Sequence, residues 1–123
     1  MPDYLLFLYE DPAVFERVSP EEMQAIIEKY TSWKQRMLQS GVLQGGEKLK
    51  PGSGKILRRA AGRSSVTDGP FTESKEVIGG FFHISARDYE QAVLAAQDCP
   101  HLEYGMIEVR EVDQIPSAPG KES

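Results

Sequence analysis

Residues Tyr4-Leu5-Leu6-Phe7-Leu8-Tyr9 form an unbroken apolar run that closes at Glu10-Asp11-Pro12. A run this short suits a strand and falls short of a helix. Both of its alternating sets are apolar, with Tyr4, Leu6 and Leu8 on one side and Leu5, Phe7 and Tyr9 on the other. Such a strand expects cover on both faces. The period then changes. Met23, Ile26, Ile27, Tyr30, Trp33, Met37 and Leu38 recur at helical spacing. Ser19 is placed to cap this helix, Pro20 fills its first position, and Glu22 completes a capping box. Val18 and Met23 stand at the positions of a hydrophobic staple, and Gly41 supplies a left-handed exit.

Past Gly41 the pattern breaks into shorter units. Val42-Leu43 starts a brief strand that runs into Gly45-Gly46, and Lys50-Pro51-Gly52-Ser53-Gly54 is a loop by composition. Lys55 to Ala60 and Ser65 to Thr67 read as a hairpin turning at Ala61-Gly62. Val77 to Ile84 is a second strongly apolar strand. Ser85 is then placed to cap a second helix, with Tyr89, Ala92, Val93 and Ala96 on its inner face and Pro100 at its end. Met106 to Val112 gives a last strand, and residues 116–123 form a polar tail. A length of 123 residues predicts one domain, spanning residues 1–115 ahead of that tail.

This order of elements is α+β: the split βαββαβ arrangement of a ferredoxin-like fold, with an additional hairpin. Both helices then lie on one face of the sheet. No third long helix is available to cover the other face. A second copy of the sheet is the natural candidate, through a two-fold homodimer.

Composition narrows the partners. The net charge is −5 and the pI about 5.0, which argues against general affinity for nucleic acid or for anionic membranes. Lys55, Arg58, Arg59 and Arg63 make a local basic cluster, read as a solvated strand face. Cys99 is the sole cysteine, so an internal disulfide is excluded and a buried, inert thiol is expected. The N-terminal apolar run lacks a basic leader and is too short for a signal peptide or a membrane span, which predicts a cytoplasmic protein.

Candidate chemistry is sparse. His83 alternates with Phe81 on a central strand, where a lone histidine is more often a hydrogen-bonded core residue than a ligand. His101 follows Pro100 in a loop and is expected to be solvated. Neither belongs to a ligand-spaced pair, so no metal is expected. Gly52-Ser53-Gly54-Lys55 is not a phosphate loop, because Leu49 and Ile56 stand where that motif needs Gly and Ser or Thr. Gly79-Gly80 opens a strand and so is no dinucleotide fingerprint. No cofactor is therefore expected. Glu108 and Arg110 share a strand face, where they can line a pocket wall or form an exposed ion pair.

Thr67–Glu76 reads TDGPFTESKE, an Asp-Gly hairpin signal followed by a proline where a returning strand needs a backbone donor. With Gly79-Gly80-Phe81 after it, this stretch closely resembles the signature of the YCII-related proteins of the DGPF type. Tyr4-Leu5-Leu6, Gly45-Gly46-Glu47-Lys48-Leu49 and Glu108-Val109-Arg110 extend the resemblance over nearly the whole chain. It implies a ferredoxin-like protein forming a dimeric α/β barrel. Relatives of the YCII type carry a His–Asp pair assigned to catalysis, with the histidine near the first helix. Here Ser19 to Ser40 contains no histidine, a departure from that pattern. A related branch dehalogenates a chlorinated lactone without a cofactor, which implies lyase-, isomerase- or dehalogenase-like chemistry as one role. DGPF-type members are often encoded beside extracytoplasmic-function sigma factors, which implies an accessory role with such a partner as the other.

The motif itself reads as an arm. Asp68-Gly69-Pro70 makes a sharp turn, with Gly69 free to take positive φ and Pro70 stiffening the exit. Phe71 anchors the rest of the arm by burial, and Gly79 and Gly80 complete the structural set. The arm either presents Asp68, Glu73 and Glu76 as catalytic groups to a small polar ligand or locks two subunits together. In the first case His83, Lys75, Glu108 and Arg110 are the candidate ligand-binding residues.

Overall fold

A computed structural model describes residues 1–69 and 75–115. Strands β1 (Asp3–Glu10), β2 (Leu43–Lys48), β5 (Val77–Ser85) and β6 (Gly105–Glu111) form an antiparallel sheet in the order β2-β5-β1-β6. Between β2 and β5 the chain makes a separate hairpin, β3 (Lys55–Ala60) with β4 (Arg63–Asp68). Helices α1 (Pro20–Gln39) and α2 (Tyr89–Gln97) complete an α+β fold. With the hairpin set aside, the chain order and the spatial order of the sheet strands are those of a ferredoxin-like fold.

The core lies on one face of that sheet. Tyr4, Leu6 and Leu8 of β1 alternate inward with Phe82 and Ile84 of β5, and they meet Trp33 of α1 and Ala92 and Ala96 of α2. Trp33 is fully enclosed and packs its ring on Phe82, with centroids 4.9 Å apart. Each large apolar side chain enclosed here contributes roughly 1.5–3 kcal/mol. Gly46 and Gly80 let β2 and β5 close on this layer. A Cβ on Gly46 would strike the Phe81 carbonyl and the Phe82 ring, and one on Gly80 would lie 2.9 Å from the Glu47 carbonyl oxygen.

The helix signals hold where they are local. Ser19 Oγ accepts from the Glu22 amide at 3.1 Å, and Gly41 takes φ +77° at the exit. Two of the apolar positions on α1 do not reach the core, since Ile27 and Leu38 are exposed. Each is turned about 100° from its inward neighbour, Ile26 or Met37, beyond the stripe that a single sheet face can cover.

The second helix corrects the expected cap. Ser85 is the last residue of β5, its amide held by the Val42 carbonyl at 2.8 Å, while Asp88 caps α2 by accepting from the Gln91 amide. Continued pairing of β5 with β2 and β1 delays the helix until the next available side-chain acceptor. The turn prediction at Ala61-Gly62 is borne out, with both residues at positive φ (51° and 75°). The hairpin is longer than its second strand was expected to be, starting at Arg63 and ending at Asp68.

Gly69 also departs from expectation. Its φ is not positive, so it is not the pivot of a left-handed turn. Instead its amide donates to the Gly54 carbonyl at 2.9 Å, extending the β3–β4 ladder beyond the Lys55–Asp68 pair. The chain bends at Gly69, and the remainder of the expected Asp68-Gly69-Pro70 turn lies outside the described residues. Pro70, Phe71 and Glu73 lie outside the described residues, as does the expected tail over 116–123.

Candidate functional site

The face of the sheet opposite the helices carries the other alternating set. Asp3, Leu5, Phe7 and Tyr9 of β1 project there, flanked by Phe81 and His83 of β5 and by Glu108 and Arg110 of β6. Strand register arranges them in rows. Leu5 pairs with His83 on one side and Arg110 on the other, and Phe7 pairs with Phe81 and Glu108. The result is an apolar floor of Leu5, Phe7 and Phe81, ringed by polar groups and only half buried. No described helix covers it.

Two polar contacts organise the ring. His83 Nε2 lies 3.1 Å from Asp3 Oδ1, a pair half-exposed at 39% and 37%. That nitrogen is itself shielded from solvent and has no partner in hydrogen-bond alignment, so the contact is electrostatic. The Tyr9 hydroxyl donates to Glu108 Oε1 at 3.0 Å. This hydrogen bond is the main cause that lifts the Tyr9 phenol above its ordinary pKa, with desolvation and the Glu108 charge adding to it. Tyr9 therefore stays protonated and Glu108 is engaged. Arg110 makes no ion pair among the described residues, although it shares this face with Glu108.

The structure brings together His83, Glu108 and Arg110 of the candidates named from sequence, and adds Asp3 and Tyr9. Asp3 carried no local signal. Its role arises because β1 and β5 run antiparallel, so that the first residue of one meets the end of the other. The arm residues stand apart from this group. Asp68 is 85% exposed on the hairpin and ion-paired with Lys55. Lys75 reaches Asp11 at 3.7 Å, beside the short 3-10 turn Pro12–Phe15. Glu76 precedes β5 and is engaged in an interaction of its own, at the end of the strand opposite to His83. Six strand residues separate Glu76 from His83, and the seven steps between them span roughly 23 Å of extended chain. Gly79 forms the bulge of β5 against β1, where a Cβ would collide with the Glu10 carboxylate.

His101 corrects the sequence reading outright. It is 1% exposed, within a second 3-10 turn (Pro100–Glu103). Its Nε2 lies 2.9 Å from the Tyr9 carbonyl oxygen and its Nδ1 2.9 Å from the Tyr30 hydroxyl. A carbonyl can only accept, so Nε2 carries the proton of the neutral ring and Nδ1 accepts from Tyr30. Burial pushes the Tyr30 phenol well above its ordinary range, which keeps it a donor. Neighbouring Cys99 is buried as expected, and burial pushes its thiol up to about 11. Gly105 makes the close approach feasible, since a Cβ there would overlap the Tyr9 carbonyl.

A broad depression of about 800 Å³ lies on the helical side, between α1 and the turn Pro100–Glu103. Four of its charged lining residues are already paired, Lys29 with Glu103 and Arg36 with Asp98, each at 3.2 Å. It is remote from His83. No cluster of metal-ligating side chains occurs among the described residues, and no described helix is long and apolar enough to cross a membrane.

Residues 3–116 match the YCII-related domain, nearly the full length of the chain. The chain belongs to the YCII-related family. An uncharacterised protein of Rhizobium meliloti (strain 1021) is 30% identical over 110 residues, covering 87% of this chain and 89% of that protein. The family match covers β1, β5 and β6, and so all the elements of the sheet-face site. Within this YCII-related chain the His83–Asp3 contact joins two strands, β5 and β1, and α1 carries no histidine.

Proposed function

We propose that this YCII-related protein binds and transforms a small polar metabolite on the open sheet face, by acid–base chemistry and without a cofactor. The observation that carries the reading is the ring of His83–Asp3, Tyr9–Glu108 and Arg110 around an apolar floor. Small-molecule sites combine apolar lining with a few convergent polar groups. The half-buried floor gains its remaining cover from the same face of a second copy, in a homodimer. Closure by that second sheet excludes water and strengthens every charge contact inside.

The test has two parts. Sedimentation at micromolar concentration is expected to show a dimer. A metabolite panel screened by melting temperature is expected to yield a ligand whose stabilisation is lost in His83→Ala. A stable monomer, or ligands indifferent to His83, would remove the support for this reading.

A second reading draws on the hairpin. Leu57 and Val66, paired across β3 and β4, are 68% and 60% exposed beside Arg59 and Lys55. An apolar, basic arm suits a protein partner, and the accessory role with an extracytoplasmic-function sigma factor would use it. Co-purification of a sigma subunit that Leu57→Glu abolishes would favour this alternative.

A further inference from the structure

We infer that the ligand of the sheet face is a small carboxylate bearing an acidic C–H beside a carbonyl, held through its carboxylate by Arg110 and deprotonated by His83. This rests on the small-molecule reading above and names its substrate class.

The register supplies the geometry. His83 and Arg110 flank Leu5 on the two adjacent strands, so their Cα atoms stand about 9–10 Å apart on one face. Both stand over the apolar floor of Leu5, Phe7 and Phe81, and a span of that size admits a short-chain acid between them. The electrostatics supply the selectivity. Glu108, which shares the face with Arg110, is engaged by the Tyr9 hydroxyl, and Arg110 has no ion pair among the described residues. A guanidinium stays charged at any working pH, and its planar fork matches a carboxylate with two parallel hydrogen bonds. In a 2-oxo acid the carboxylate and keto oxygens lie side by side, within reach of one such fork.

The histidine supplies the base. Asp3 faces the shielded Nε2, which favours the proton on that nitrogen, while Nδ1 has no hydrogen-bond partner among the described residues. In the step, the C–H bond breaks and its proton passes to Nδ1. The electron pair delocalises into the carbonyl to give an enolate, whose charge develops against Arg110. Asp3 stabilises the imidazolium, and return of a proton from Nδ1 to carbon restores the neutral ring. No oxidant, reductant or co-reactant is needed.

The experiment monitors exchange of the methyl hydrogens of pyruvate with deuterium oxide by proton NMR, with pyruvamide as the twin lacking the carboxylate. Wild-type protein is expected to exchange pyruvate faster than pyruvamide by about tenfold or more. Arg110→Gln should erase that preference while the protein remains a dimer by sedimentation, and His83→Gln should abolish exchange of both. Equal exchange of the two twins, or a preference that survives Arg110→Gln, overturns the substrate class while leaving acid–base chemistry on this face intact. Dissociation of Arg110→Gln to monomers also overturns it, by making Arg110 an interface residue. Absence of exchange with either twin overturns it as well, and the melting-temperature screen then decides the broader reading separately.

Discussion

Replacing His101 by alanine is expected to be among the most damaging single changes in this protein, although it removes a polar residue from a turn. The ring is enclosed and makes two hydrogen bonds, to the Tyr9 carbonyl and the Tyr30 hydroxyl. Each bond contributes about 1 kcal/mol net, and stranding a buried partner costs a further 1–3 kcal/mol or so. The cavity left by the imidazole adds to this, although the Tyr9 carbonyl keeps a second lone pair for other partners. The total is about 3–5 kcal/mol, or a fall in Tm of roughly 10–25 °C for a domain of this size. Urea and thermal melts followed by circular dichroism would measure it. Tyr30→Phe alone should cost only about 1–2 kcal/mol, since it deletes a donor and leaves the ring in place. The double mutant is the sharper assay. Because Tyr30 and His101 share one bond, their effects should fall short of additivity by about 1 kcal/mol. A His101→Ala variant within 1 kcal/mol or so of wild type, or strict additivity with Tyr30→Phe, would refute the buried Tyr30–His101 hydrogen bond.

Glycine substitutions should separate close approach from turn geometry: Gly105→Ala is expected to unfold or severely destabilise the protein because its Cβ meets the Tyr9 backbone, whereas Gly69→Ala should cost less than about 1 kcal/mol, its Cβ meeting Ile56 Cγ1 at 3.3 Å without a positive φ. Chemical denaturation of each would check this. Alkaline pH should weaken the fold. The Cys99 thiol is raised from 9.0 to about 11, so the native chain keeps a proton the unfolded chain has already lost, and stability present below pH 9 declines as pH rises toward 11. The loss from Cys99 is at most about 3 kcal/mol, Tyr30 acts in the same direction, and Cys99→Ala should flatten the denaturation-midpoint profile measured across that range. If the proposed homodimer forms through the half-buried sheet face, Phe7→Glu should shift sedimentation toward monomer while leaving secondary structure by circular dichroism unchanged; a dimer that tolerates it would place the interface elsewhere.

Much of this architecture was legible because its determinants are local. Ser19 caps α1 through an amide three residues away, and Ala61-Gly62 turns the hairpin through its own backbone angles. The alternation in Tyr4–Tyr9 assigned two faces to β1, and the element order specified the ferredoxin-like arrangement. The errors arose where a local signal competed with pairing at a distance. Ser85 was the expected cap, and continued pairing of β5 passed that role to Asp88. Gly69 was a competent left-handed pivot, and its pairing with Gly54 left it without a positive φ.

The site was legible only in part for the same reason. Strand periodicity placed Glu108 and Arg110 on one face, and placed His83 in phase with Phe81. No spacing along the chain could show that Asp3 meets His83, because that contact is made by antiparallel register between β1 and β5. The loop context of His101 predicts a solvated ring, yet its partners lie 71 and 92 residues away and enclose it. The sequence determined which segments become strands and helices, since those choices rest on side chains within a turn or two of one another. Tertiary structure alone decided which polar groups face each other and which lose water, because both depend on the distances between segments that only folding brings together.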